Sequence, residues 1–107
     1  MNVYGYTDNE EGIMDIKGTT ESFEEFVNGY VKVISLTAEY VIVCNTESSI
    51  DSEMLEPNIA WFDHDEMVDI ICGKCFVCRH INGNLSGIAE SDIPIIKSMI
   101  IKHKEWD

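Results

Sequence analysis

Apolar and polar positions change period along the chain, and each change marks a predicted element. Residues 3–7 have strand character and end in the polar cluster Asp8-Asn9-Glu10-Glu11-Gly12; residues 13–16 can pair back as a hairpin. After Gly18, Thr19 or Thr20 is a natural helix N-cap, and Phe23, Phe26, Val27 and Tyr30 follow at i, i+3, i+4 and i+7. That spacing predicts a short amphipathic helix stopping near Gly29, with Glu21, Glu24 and Glu25 on its outer stripe. Residues 30–36 and 40–45 are rich in β-branched and aromatic side chains and predict two adjacent antiparallel strands. Residues 46–69 hold Ser48-Ser49, Pro57-Asn58 and many acids. They predict a long, partly ordered excursion carrying Met54, Leu55, Trp61 and Phe62 into or over the core.

Residues 70–80 form the strongest strand pattern in the chain. Asn82-Gly83-Asn84 predicts a turn, with residues 85–88 returning as a short strand. Ser91 is placed to cap a last helix that tolerates Pro94 in its first turn. Ile93, Ile96, Ile100 and His103 share one face of that helix, widened by Ile95, Met99 and Trp106. The elements together predict an α+β fold over residues 1–107 as one domain. A mostly antiparallel sheet would carry both helices packed on one face.

Charge changes the picture most. Residues 1–69 carry sixteen acids against two bases, and the rest carries four acids against five bases, for a formal net charge of −13. A chain with seven Lys and Arg cannot neutralise many phosphates, so direct nucleic-acid binding and an anionic lipid surface are both disfavoured. The N-terminal residues have neither a basic start nor an apolar run before a cleavage site, and no apolar stretch reaches the roughly 20 residues of a membrane span. The expected location is the cytoplasm, where Cys44, Cys72, Cys75 and Cys78 would be reduced thiols.

Four short pieces carry a family resemblance. They are Asn28-Gly29-Tyr30-Val31-Lys32-Val33 after the short helix, Val41-Ile42-Val43-Cys44-Asn45 with Glu47, Glu56-Pro57-Asn58, and Asp69-Ile70-Ile71-Cys72-Gly73. With Ser91-Asp92 near the last helix start, their order and spacing resemble an uncharacterised family of small domains from phages, plasmids and their Firmicute hosts. The sequence departs from that family's pattern in having Asn28 for a glycine and Thr46 before the glutamate. The resemblance implies a mobile-element accessory protein and carries over no activity or catalytic residue.

Three sets of side chains are candidates for function. Cys72, Cys75, Cys78 and His80 offer tetrahedral zinc ligands. On a continuous strand, however, Cys72 and Cys75 point to opposite faces, as do Cys75 and Cys78, so buried free thiols are the plainer expectation and no cofactor is implied. The histidines fall in no nucleophile–base arrangement, and the acids around His64 lack the spacing and glycine of a calcium loop, so no enzyme is expected. Carboxylates at Glu21, Glu24, Glu25, Asp63, Asp65, Glu66 and Asp69 serve solubility alone, or else form a negative surface that docks into a basic groove of a nuclease or other nucleic-acid-binding enzyme. Small acidic phage and plasmid proteins inhibit restriction and CRISPR nucleases in this way, sometimes imitating nucleic acid, and that analogy sets the expected function as an anti-defence inhibitor. The alternatives are a small-molecule or metal-binding module on the cysteine strand, and an enzyme of unrecognised chemistry. Ile95, Ile101 and Trp106 are core side chains or the contact surface of a homodimer.

Overall fold

The computed structural model describes residues 1–103. Strands β1 (Asn2–Tyr6) and β2 (Glu11–Asp15) precede helix α1 (Thr20–Val27), followed by β3 (Val31–Ser35) and β4 (Tyr40–Asn45). Then come β5 (Pro57–Asp63), β6 (Glu66–Cys72), β7 (Cys75–Ile81), β8 (Asn84–Ser86), α2 (Ile93–Met99) and β9 (Ile100–Lys102). A larger sheet has the order β2-β1-β7-β4-β3 with β8 paired to β7, and a smaller one has the order β6-β5-β9. Every strand pair is antiparallel. The α+β class and the antiparallel sheet are as the sequence predicts.

Alternation along β4 sorts the core into two layers. Tyr40, Ile42 and Cys44 pack with Tyr4, Tyr6 and Val77 against the smaller sheet (Ile59, Trp61, Ile71) and Ile96 of α2. Val41 and Val43 turn the other way, joining Val3, Phe76 and Cys78 against Phe23 of α1. The central strand β7 is apolar on both faces because both are covered, which is why Cys75-Phe76-Val77-Cys78 is continuously hydrophobic. The two helices therefore lie on opposite faces of the larger sheet, not on one. The smaller sheet takes up the face that α1 leaves open.

Four further expectations are corrected. Residues 46–69 are largely regular: β5 and β6 form a hairpin whose two-residue turn has His64 and Asp65 at φ 51° and 67°. Both are left-handed, as a type I′ turn demands, although neither is glycine. The strand expected over residues 70–80 breaks at Gly73, whose φ of 79° sends the chain from the smaller sheet into the larger. The last helix ends at Met99. Ile100 is extended, and β9 pairs with β5 instead of continuing the helical face expected to reach His103. Asp92, not Ser91, caps the start of that region, its Oδ2 accepting the Ala89 N–H at 2.8 Å.

Helix α1 starts where expected, with the Thr19 Oγ1 accepting the Ser22 N–H. It stops at Asn28, left-handed at φ 58°, so Tyr30 leaves the helical face and is 77% exposed. Asparagine is among the few residues that tolerate this backbone.

Candidate functional site

The seven candidate carboxylates fall into two groups, six on regular elements and Asp65 in a hairpin turn. Glu21, Glu24 and Glu25 lie on α1, over one face of the larger sheet. Asp63, Asp65, Glu66 and Asp69 lie on the β5–β6 hairpin, whose sheet covers the other face. The structure does not bring all seven onto one surface. Among the described residues only Asp63 of these seven has an ionic partner, the neighbouring His64 at 3.5 Å, and that pair is ionic only when the imidazole is protonated. The hairpin tip protrudes: residues 63–69 are all exposed, including Met67 and Val68. Its β6 edge is nonetheless guarded. A register shift interrupts pairing between Trp61 and Phe62. Asp69 Oδ1 accepts the Ile70 N–H, and Ser48 O accepts the Cys72 N–H.

The thiols are not assembled into a centre. Cys72 ends β6 in the smaller sheet, while Cys75 and Cys78 on β7 point into opposite core layers, and His80 is solvent-exposed. No group of three or more His, Cys, Asp or Glu able to hold a metal ion occurs among the described residues. All four cysteines are free and buried. Burial raises each thiol pKa, that of Cys78 to about 12; for Cys75 the nearby Cys44 adds to the effect, and for Cys72 Asp69 does. A thiol that stays protonated near neutrality is a poor nucleophile, so this arrangement suits packing.

The four pieces that carry the family resemblance do meet in space, at one end of the larger sheet. Asn45, buried at the end of β4, donates through Nδ2 to the carbonyls of Val27 at 2.9 Å and Asn28 at 3.3 Å. Its Oδ1 accepts the Glu47 N–H at 2.8 Å. One side chain thus ties down the carbonyl end of α1 and the turn after β4. Gly29 makes room for it, since a Cβ there would sit 2.6 Å from Asn45 Nδ2. Asn58, also buried, donates to Tyr6 O and Gly73 O and accepts from the Lys102 Nζ, which also donates to Thr7 O. Asn58 holds the two sheets together at the point where Gly73 crosses between them. Gly73 is favoured by its left-handed φ; a Cβ there would also press on the end of the Leu55 side chain, which would have to shift.

Sequence reasoning missed these roles of Asn45, Asn58 and Lys102. The available signal was an asparagine at the end of an otherwise apolar strand, because a buried amide requires several partners. Two shallow grooves of about 280 Å³ each flank this junction and share Asn28, Met54 and Leu55; Asp8, Glu53, Glu56 and Lys74 line one of them. The resemblance pieces therefore supply joints of the fold, with Asn45, Asn58 and Gly73 each tying one element to another.

Of the expected oligomer surface, Ile95 on α2 and Ile101 on β9 are partly exposed, at 48% and 39%. Trp106 lies outside the described residues. No helix among the described residues is long and apolar enough to cross a membrane.

No curated protein and no solved structure matches the chain. The model of the domain of unknown function DUF3846 matches residues 1–100, and the chain belongs to that family.

Proposed function

We propose that this protein is a non-catalytic accessory factor of a mobile genetic element. In this reading it binds through the acidic β5–β6 hairpin to a basic surface on a nucleic-acid-acting enzyme, in the manner of an anti-restriction or anti-CRISPR inhibitor. The observation that carries the reading is the hairpin tip. Asp65 on the two-residue turn and Asp63 and Glu66 at the strand ends beside it are all exposed, with no lysine or arginine neutralising them among the described residues. Unneutralised charge on a protruding, ordered element speeds encounter with an oppositely charged groove and loses little conformational freedom on docking. The carboxylates of α1 lie on another layer, so the reading is narrower than nucleic-acid mimicry by all seven. The hairpin is the contact and α1 supplies background potential.

The test compares capture from a host extract by the wild type with capture by D63K/D65N/E66K and by E21K/E24K/E25K. Asparagine is used at Asp65 because it tolerates the left-handed backbone there. The hairpin variant is expected to lose nucleic-acid enzymes that the wild type retains, and the α1 variant to keep them. Capture is expected to fall steeply as salt approaches about 0.5 M, where the screening length shrinks to a few ångströms. An identical set of retained proteins for the wild type and the hairpin variant overturns the reading.

A further inference from the structure

The outer edge of the larger sheet at β3 differs from the edges at β6 and β2, and at five residues it is longer than the three-residue edge strands β8 and β9. The β6 edge carries a register shift and acidic side chains. The β2 edge carries Glu11 and Asp15. Strand β3 has no proline and no acid, and pairs with β4 without a break from Val31↔Asn45 to Ser35↔Val41. It sits within residues 26–38, the longest stretch without an acid in residues 1–69 of a chain with net charge −13.

The parity of the ladder shows which backbone groups are left over. Leu36 N–H donates to Tyr40 O, and Tyr30 O accepts from Thr46 N–H. Residues 30 and 36 therefore turn their polar groups toward β4. By the alternation of an antiparallel pair, Lys32 and Ile34 do the same, and Val31, Val33 and Ser35 present N–H and C=O outward. Three donors and three acceptors are thus presented in a regular row beside the half-exposed Val33.

We propose that this edge is a homodimer interface, in which β3 pairs antiparallel with β3 of a second copy about a two-fold axis at Val33. The pairing is self-complementary. Val33 faces its own copy as a hydrogen-bonded pair, and Val31 faces Ser35 on either side, so all three donors and three acceptors of each chain are satisfied and the two larger sheets become one. A second copy fits the electrostatics of this edge better than of any protected one. Two chains of charge −13 repel wherever acids meet, and this strip brings up only Lys32. The inference is independent of the acidic hairpin's role.

The test is the mass in solution, by sedimentation or light scattering, from roughly 10 µM to about 1 mM, where a small interface associates. The wild type is expected to move toward twice the 12.1 kDa chain mass, at lower concentration when salt is raised. V33P removes the central donor at a position whose N–H the monomer does not use, and V33E places two further acids on the axis. Both are expected to stay monomeric, with circular dichroism confirming the fold. Amide exchange gives a readout without mutation: Val33 and Ser35 should exchange fast when dilute and slowly when concentrated, while Lys32 and Ile34 are protected throughout. A wild type monomeric over the whole range overturns the proposal, as does a dimer that persists in both variants or leaves the Val33 amide unprotected.

Discussion

The Tyr40 hydroxyl donates a buried 2.5 Å hydrogen bond to Asp92 Oδ1, joining the start of β4 to the turn that opens α2, 52 residues later. The other Asp92 oxygen accepts the Ala89 N–H, and that bond, followed by the one from Tyr40, holds the carboxyl below its usual range. Burial first, and then Asp92, push the Tyr40 phenol up to about 12. Both shifts link stability to pH, with opposite signs. The depressed Asp92 pKa stabilises the fold above about pH 4, and that contribution is lost as pH falls through the folded value. The raised Tyr40 pKa stabilises the fold below its ordinary 10.0, and that contribution is lost as pH climbs from 10 toward 12. Urea unfolding between pH 9 and 12 should show the alkaline loss in the wild type. In Y40F it should be weaker, on a baseline lowered by about 1–3 kcal/mol at pH 7 because Asp92 loses a donor.

Asn45 and Gly29 act as one joint, so their variants should not add. N45A strips the hydrogen bonds to Val27 O and Asn28 O and should cost about 1–3 kcal/mol. G29A drives a methyl to within 2.6 Å of the same amide and should cost a similar amount, about 1–3 kcal/mol, by displacing it. Once Asn45 is gone, the methyl at residue 29 meets less. The double variant should therefore unfold well short of the summed loss, by roughly 1 kcal/mol or more. Chemical denaturation of the four proteins measures the coupling, and strict additivity would mean that the joint is not shared.

How legible this fold is from sequence depends on what competes with each local signal. The Thr19 cap, the β3–β4 pair and the Asn82-Gly83 turn, with φ of 50° and 81°, follow from local rules that nothing overrides. The β5–β6 hairpin does not, because its turn is His64-Asp65 where the usual sign is a glycine, and because β6 carries acids on an edge that solvent reaches from both sides. Residues 70–80 read as one strand since their apolar run ignores Gly73-Lys74, yet that glycine marks the crossing between sheets. Residues 93–103 keep a helical period through Ile100, and only the open edge of β5 draws β9 out of the helix. Of the candidate site, the carboxylates were visible individually, while their division between two layers depends on long-range pairing that no local pattern records.

The cysteines should be silent toward thiol reagents in the folded protein. Every one is buried, and burial favours the neutral thiol, so the thiolate that reacts is scarce at pH 8. Addition of an aromatic disulfide reagent should label none of the four within minutes, and all four after urea is added. One fast thiol in the native state would place that residue on a part of the structure that opens readily.

Removing acids from the hairpin tip should leave the fold intact and make it somewhat more stable at low salt. Against a net charge of −13, the ion pairs seen among the described residues are Met1–Asp15, Arg79–Glu39 and, when the imidazole is protonated, His64–Asp63, so the chain carries a large excess of like charge. Raising sodium chloride from about 20 mM to about 0.5 M screens that repulsion and should lift the wild-type Tm by about 5 °C, which for a chain of this size is roughly 1 kcal/mol. In D63K/D65N/E66K part of the repulsion is already gone. Its Tm should exceed that of the wild type at 20 mM and converge with it at high salt. N45A, whose defect is a lost hydrogen-bonded joint, should stay below the wild type at every salt concentration. Differential scanning calorimetry across the salt series separates the two behaviours. A hairpin variant that unfolds early at low salt would show that these carboxylates hold the turn together, and then loss of partner binding by the same variant could not be assigned to the charge itself.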